Sequence, residues 1–493
     1  MSIQKKRIMR VNNLFSHLQR RHLCLAIITL LFLWVWYLCF PCLLGVDFYG
    51  IRQDQWGVGV YLLMQVANLP LTLMEWSLGF RQVPLSHKHF VYFGGCMATL
   101  AHAALLWYSL IKMSSTVCRY LRHSWLFAAA VSGMILMAGF LMFAKTTDLF
   151  FCATVAWVLS RIVERYVAGK TITLLELCIL IIVSAVAVSY RRNGVLIMPL
   201  LMWICLSLYI PAKRWRPLKR FVISCVIAVV AAIPLSSSVL VPVLGLTEAH
   251  GEEVYLSSDY AQMRMLKGKQ IKLNKLDGIW HEDGKRGGRV FMQFYRRYGQ
   301  SKDMRTLWMA EIKDSPSTFL KVRGINFLQF LTIGCLPDFI REPLQESYPH
   351  VYFPGAGDYR EIIWGYNNFP HDYNKDKEVH RIGEFHGWGG LLECGLFKND
   401  ILFRWPLLAV LLCILYCITF GCLIWLLFLR MRGRPLSIPQ RLALWCGLLE
   451  FGYLSSFLLF TPTPDYRYHF FCIFTGFLMV GFSALAKVNQ SKG

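Results

Sequence analysis

Three short stretches hold the side chains best suited to chemistry. Asp47 and Asp54 follow closely on the first apolar run. A carboxylate held at a membrane surface can serve as a general base, and partial desolvation would raise its affinity for a proton. The sequence does not order these two acids in space. The second stretch is Tyr190-Arg-Arg-Asn-Gly194, which places Arg191 and Arg192 in a very short turn between apolar runs. Guanidinium forks match phosphate oxygens in charge and geometry. The third, Pro462-Thr-Pro-Asp-Tyr-Arg-Tyr-His469, gathers Tyr466, Arg467, Tyr468 and His469 in another short turn, where Arg467 would meet a lipid phosphate. The plain alternatives are solvated loop acids, arginines snorkelling to headgroups and an aromatic belt.

Two further groups are weaker. Glu384, His386 and Trp388 lie just before a late apolar run, where an indole could stack on a sugar or an isoprene unit. Glu450 falls inside an apolar run, and an intramembrane acid is a functional candidate by default. Asp283-Gly-Lys-Arg-Gly-Gly288 lacks the Ser or Thr that a phosphate-binding Walker loop needs after its lysine. With no HExxH motif, no pair of CxxC motifs and no Ser-His-Asp signature, the sequence implies no metal and no cofactor.

The elements that must position these residues are apolar runs. The chain is 56% hydrophobic and only 16% charged over 493 residues, the balance of a polytopic membrane protein. Runs long enough to cross about 30 Å of hydrocarbon occupy 23–44, 91–111, 125–144, 149–164, 171–190, 194–212, 220–244, 405–429, 442–460 and 470–486. The expectation is an all-α polytopic membrane protein of about ten transmembrane helices with one outer soluble domain, mixed or α-rich. The first run is too long for a cleaved leader and reads as a retained signal-anchor. Val58–Phe80 is also apolar enough to span but contains Gln65, Asn68, Pro70 and Glu75. It reads as an amphipathic or re-entrant helical pair in the interfacial loop 45–90, with an eleventh span as the alternative.

A net charge of +23 suggests nucleic acid, but lysine and arginine retained on the cytoplasmic side of a membrane account for it better. With both termini inside, the short inner segments carry 23 Lys and Arg against 7 in the short outer loops. The expected organisation is a basic cytoplasmic segment 1–22, a first membrane module 23–244, an extracytoplasmic block 245–404, three spans over 405–486 and a cytoplasmic tail 487–493. The block Gly245–Arg404 holds 21 of the 29 acids. Within it, Thr306–Phe330 has helical spacing and a capping pattern at Asp314-Ser-Pro-Ser, whereas Val351–Asp376 reads as loop. Cys335 and Cys394 could pair if the block faces an oxidising compartment. The Cys39–Cys42 pair ends an apolar helix and gives no redox signature.

This pattern resembles the membrane glycosyltransferases of the GT-C class. The likeness rests on Asp47 and Asp54 after the first span, on Arg191-Arg192-Asn-Gly before the sixth, and on the Pro464-Asp-Tyr-Arg-Tyr turn before the last. The stretch Trp308–Arg323 is similar to the outer domain of bacterial members. The functional analogues are the serotype-converting O-antigen glucosyltransferases of bacteria and their phages. The resemblance implies a metal-independent, inverting hexosyltransferase of the inner (plasma) membrane, with its large loop in the periplasm. Its donor would be a polyprenyl-phosphate sugar, glucose by analogy, and its acceptor a lipid-linked or O-antigen glycan. Asp47 or Asp54 would be the base. Arg191, Arg192, Arg467, Tyr466, Tyr468 and His469 would hold the donor phosphate, with Glu384, His386 and Trp388 near the substrate. The first outer loop departs from the paired-acid or Asp-Ser pattern common in that class.

Two rival readings stay open. An O-antigen polymerase or ligase also exposes a large outer loop with arginines. A transporter or flippase of lipid-linked sugars is the rival from another class, although no paired broken helices and no intramembrane acid–base chain stand out in the sequence.

Overall fold

The computed structural model describes residues 21–37, 62–63, 66–70, 73, 94–143, 147–210, 217–235, 239, 243, single helical positions between 256 and 267, 304–332, 400–402, 405–460 and 466–490. Asp47, Asp54, Glu384, His386, Trp388, Cys335, Cys394 and the stretch Val351–Asp376 lie outside the described residues.

The molecule is an all-α membrane protein. Its helices are α1 (Arg21–Tyr37), α2 (Gly95–Tyr120), α3 (Trp125–Ala138), α4 (Thr147–Val167), α5 (Leu174–Tyr190), α6 (Met198–Tyr209), α7 (Pro217–Ala232), α8 (Met304–Asp314), α9 (Pro316–Leu331), α10 (Leu407–Met431), α11 (Ile438–Phe460) and α12 (Phe470–Gln490). Asp400–Leu402 and Trp405–Pro406 form a short antiparallel β-pair that leads into α10. Among the described residues, four stretches are long and apolar enough to cross a membrane: Gly95–Tyr120, Pro217–Leu235, Leu408–Met431 and Phe470–Val488. Four more apolar helices are shorter.

Local chemistry sets the helix ends. Thr173 and Glu176 form a reciprocal capping box at the start of α5. Gly169 and Gly433 adopt φ of +66° and +70° in turns that follow α4 and α10, a conformation that costs glycine little. The helical spacing and capping pattern across Thr306–Phe330 correspond to two helices, α8 and α9, which meet at Ser315 (φ −151°, ψ 76°). Pro316 drives its predecessor out of helical geometry and then starts α9, where its missing N–H costs nothing.

α4 is the central helix, packed on α2, α5, α6, α11 and α12. Phe150, Phe151, Cys152, Ala153, Val155, Ala156 and Val158 are all fully buried. A helix that is apolar around its whole circumference belongs inside a bundle. α12 packs on α11 and α3, and α10 on α11 and α12. The outer surface carries apolar stripes instead, such as Leu218, Val222, Val226, Val229 and Ile233 of α7 and its extension. In the 62–73 segment, Leu62, Val66, Leu69 and Leu73 are exposed along one helical stripe, while Asn68 is buried and Leu63 and Ala67 pack on the core. This is the two-faced pattern expected of an amphipathic helix at a membrane surface.

Candidate functional site

α4 and α5 run antiparallel, so the start of α4 and the end of α5 share one end of the bundle. Asp148 lies in the first turn of α4, where the helix dipole favours a carboxylate. Arg191 follows the last residue of α5 in extended conformation. Its guanidinium forms an ion pair with the Asp148 carboxylate, both side chains being nearly enclosed. The turn that carries Arg191 is pinned by close approaches. A Cβ on Gly194 would stand 2.5 Å from Phe151 of α4, and one on Gly452 of α11 would stand 3.0 Å from Leu200.

Aromatic rings build the rest of the site. The Arg191 guanidinium lies 4.6 Å from the ring centroid of Tyr468 and 6.0 Å from that of Phe457, geometry that supports cation–π attraction. Tyr468 and Phe457 stack at 5.6 Å. Phe457 in turn stacks on Phe330 at 4.4 Å, and Phe330 on His469 at 4.2 Å. Phe330 belongs to α9, so a helix of the polar block inserts its last turn into this end of the membrane bundle. Deeper in, Tyr453 of α11 is fully buried, with its ring stacked on Phe151 at 5.5 Å.

Arg191, Tyr468 and His469, separate stretches in the sequence, therefore come together. His469 is fully buried and hydrogen-bonded through Nδ1 to the Tyr416 hydroxyl. Arg192, Tyr466 and Arg467 share the same turns by backbone, and their side chains lie outside the described residues. The partnership of Arg191 with Asp148 and the insertion of Phe330 were not expected from the sequence. The available signal was that Asp148 and Arg191 each fall in a short gap between the apolar runs, before 149–164 and after 171–190.

A second polar feature runs through the interior. Glu450 is buried, and its Oε1 accepts a hydrogen bond from Thr419 Oγ1 at 3.0 Å. Tyr416, one turn of α10 away from Thr419, carries the hydrogen bond to His469. Among the described residues, no three His, Cys, Asp or Glu side chains come together as a metal site would need.

The polar block has its own anchor. Asp259 is buried in an ion pair with Arg323 of α9 and lies 3.4 Å from the Trp308 indole nitrogen of α8. Burial pushes its carboxyl up to about 6, against the opposing effects of Arg323 and Trp308. Lys267 bridges Glu311 at 2.6 Å and Asp314 at 2.8 Å on the same helix pair.

No family model, curated protein or solved structure matches the chain. The chemistry of the site therefore carries its functional reading.

Proposed function

We propose that the chain is a membrane glycosyltransferase that moves a hexose, glucose by resemblance, from a polyprenyl-phosphate donor to a lipid-linked or O-antigen glycan acceptor. In this reading the chain crosses the inner membrane ten times, keeps both termini in the cytoplasm and presents 245–404 outside. The observation that carries the proposal is the convergence at one end of the bundle. A guanidinium on an aromatic platform, a carboxylate and a helix from the polar block meet where a lipid phosphate would lie.

The chemistry is a displacement at the anomeric carbon. Asp47 or Asp54 takes the proton of the acceptor hydroxyl as its oxygen attacks. The bond from the anomeric carbon to the phosphate oxygen breaks with inversion, and its electron pair leaves with the lipid phosphate. The phosphodiester monoanion thereby becomes a monoester bearing a second charge. Arg191, with Arg192 and Arg467, stabilises that developing charge. Tyr466, Tyr468 and His469 shape the phosphate site, and Glu384, His386 and Trp388 lie toward the sugar or acceptor.

The test is transfer from purified polyprenyl-phosphate glucose to acceptor glycan in nanodiscs. Arg191→Ala and Arg467→Ala should each raise the donor requirement by an amount worth about 1.5–3 kcal/mol. Asp47→Asn or Asp54→Asn should cut turnover by roughly 10²–10⁴-fold while leaving donor binding in place. Unchanged transfer in all four variants would remove the mechanism. The buried Glu450–Thr419 and Tyr416–His469 pairs favour one second reading, a flippase of lipid-linked sugars, because intramembrane polar groups mark substrate paths. Acceptor-independent movement of a labelled donor across sealed liposomes, without sugar transfer, would select it.

A further inference from the structure

The turn from α10 to α11 concentrates cations without a counter-charge. No acidic residue occurs between Asp400 and Glu450, whereas Arg430, Arg432, Arg434 and Arg441 lie in and beside this turn. The acids described at the same end of the bundle are already engaged, Glu164 by Lys112 and Arg161 and Glu176 by Arg165. Arg441 is committed through Nε to the Leu436 carbonyl at 3.0 Å. Arg430, Arg432 and Arg434 are exposed, and none has a carboxylate partner among the described residues. Backbone geometry holds the three together. The Gly433 N–H donates to the Arg430 carbonyl and the Arg434 N–H to the Leu429 carbonyl, each at 3.1 Å. These are the paired bonds of a Schellman turn, with Gly433 at φ +70°.

Next to the arginines, α10 presents an apolar track. Ile414, Ile418, Trp425 and Phe428 are exposed at helical spacing. Arg432 continues the same stripe, its guanidinium 4.3 Å from the Phe428 ring centroid. Gly421 interrupts the stripe: a Cβ there would meet nothing within 4 Å, which leaves a notch. From Gly421 to Arg432 the helix rises about 16 Å, close to one leaflet of a hydrocarbon core about 30 Å thick. We propose that this face of α10 binds one anionic phospholipid of the surrounding bilayer. Its phosphate sits on Arg432, flanked by Arg430 and Arg434, and an acyl chain runs along Phe428 and Trp425 into the Gly421 notch. Guanidinium forks suit the phosphodiester. A zwitterionic lipid would bring its own cation into a turn that has no acid to receive it. The site lies at the opposite end of the bundle from Arg191 and does not depend on which reaction the chain performs.

Native mass spectrometry of the full chain, titrated with phosphatidylglycerol or phosphatidylcholine of the same acyl chains, tests the site. One phosphatidylglycerol should be retained and bound about tenfold or more tightly than phosphatidylcholine. Arg432→Gln should weaken it about tenfold, the loss of one charge-assisted contact. If Arg432→Gln does not fold, Arg434→Gln replaces it with the same direction expected. Gly421→Leu fills the notch without touching charge and should also weaken binding. Arg119→Gln, at the exposed end of α2, removes another cation from the same end of the bundle and should leave binding unchanged. Equal binding of the two lipids would overturn the site. So would equal losses in Arg119→Gln and Arg432→Gln, which would reduce the effect to the general charge of that end. Unchanged binding in Gly421→Leu would overturn the acyl track, and full competition by glycerol phosphate would assign the arginines to a soluble phosphate instead of a lipid.

Discussion

The two ends of the helix bundle handle charge in opposite ways. At the Arg191 end, the Asp148–Arg191 ion pair is sunk beside Tyr468 and Phe457, with exposures of 11% for Arg191 and 3% for Asp148. At the other end, Glu164 bridges Lys112 at 2.9 Å and Arg161 at 3.1 Å, and its side chain is 38% exposed. Arg165 pairs with Glu176 nearby, again partly exposed, and Arg21 donates to Ser115 at 2.7 Å. Exposed pairs gain little, because water competes for each partner and salt screens what remains. The enclosed pair is a weak fold stabiliser as well, since desolvation offsets most of its attraction. Burying charge at that cost makes sense where a guanidinium must be held ready for an anion. The open arrangement suits a basic face that has only to meet water and headgroups.

The contrast can be broken most directly by removing one acid from each end. Asp148→Ala breaks the enclosed pair with Arg191 and should cost about 3–5 kcal/mol of stability. Glu164→Ala should cost about 0.2–1 kcal/mol, because Lys112 and Arg161 turn to solvent. Denaturant unfolding of both variants in one detergent provides the comparison. Equal losses would mean that the Asp148–Arg191 pair is wetter than its packing suggests.

Much of the scaffold was legible because helix boundaries in a membrane protein are written in short-range chemistry. The run 171–190 begins as α5 at the Thr173–Glu176 capping box and ends at the arginines that follow Tyr190. The run 149–164 sits inside α4, bounded by Asp148 and by Arg165. The site was legible only as separate turns. The pairing of Asp148 with Arg191 depends on how α4 and α5 pack and on Gly194 letting Phe151 approach, and no local pattern encodes that fit. Phe330 was invisible for the same reason, since only the packing of α9 on α10 and α11 brings it to His469. The Tyr416–His469 hydrogen bond and the nearby Thr419–Glu450 contact leave no local signature either. Their members sit on separate elements far apart in the chain.

The Asp259–Arg323 pair sharpens the comparison, because it is as enclosed as the Arg191 pair but lies outside the membrane-spanning helices. Its carboxyl is raised to about 6 by burial, above an unfolded value of about 3.9. The folded state therefore holds a proton that the unfolded state has already released between those values. Stability from this group is fully present below the unfolded value and is lost as pH rises through about 6. Moving from pH 7 to pH 5 should stabilise the packing of α8 and α9 by roughly 1 kcal/mol, a gain that Asp259→Asn abolishes. Hydrogen exchange of the 304–331 amides at the two pH values, corrected for intrinsic rates, measures it. A gain retained in Asp259→Asn would assign the proton elsewhere.

The smallest expected effect belongs to the open end and is a salt dependence. Raising ionic strength from 0.01 M to 1 M shrinks the screening length from about 30 Å to about 3 Å. The Glu164 cluster is wet enough to feel that change: one carboxylate attracts two cations across solvent-exposed gaps. The cost of Glu164→Gln should accordingly fall from about 0.2–1 kcal/mol at low salt to nearly nothing at high salt. The cost of Asp148→Ala should move much less, because Arg191 is only 11% exposed and packs on Tyr468 and Phe457, so a small ion from water replaces the lost carboxylate poorly. Unfolding both variants across a salt series in one non-ionic detergent separates the two cases. If Asp148→Ala were rescued by salt, anions would have to reach Arg191 from solvent without help. The aromatic rings would then be a rim around an open site, and the two ends would differ in degree and not in kind.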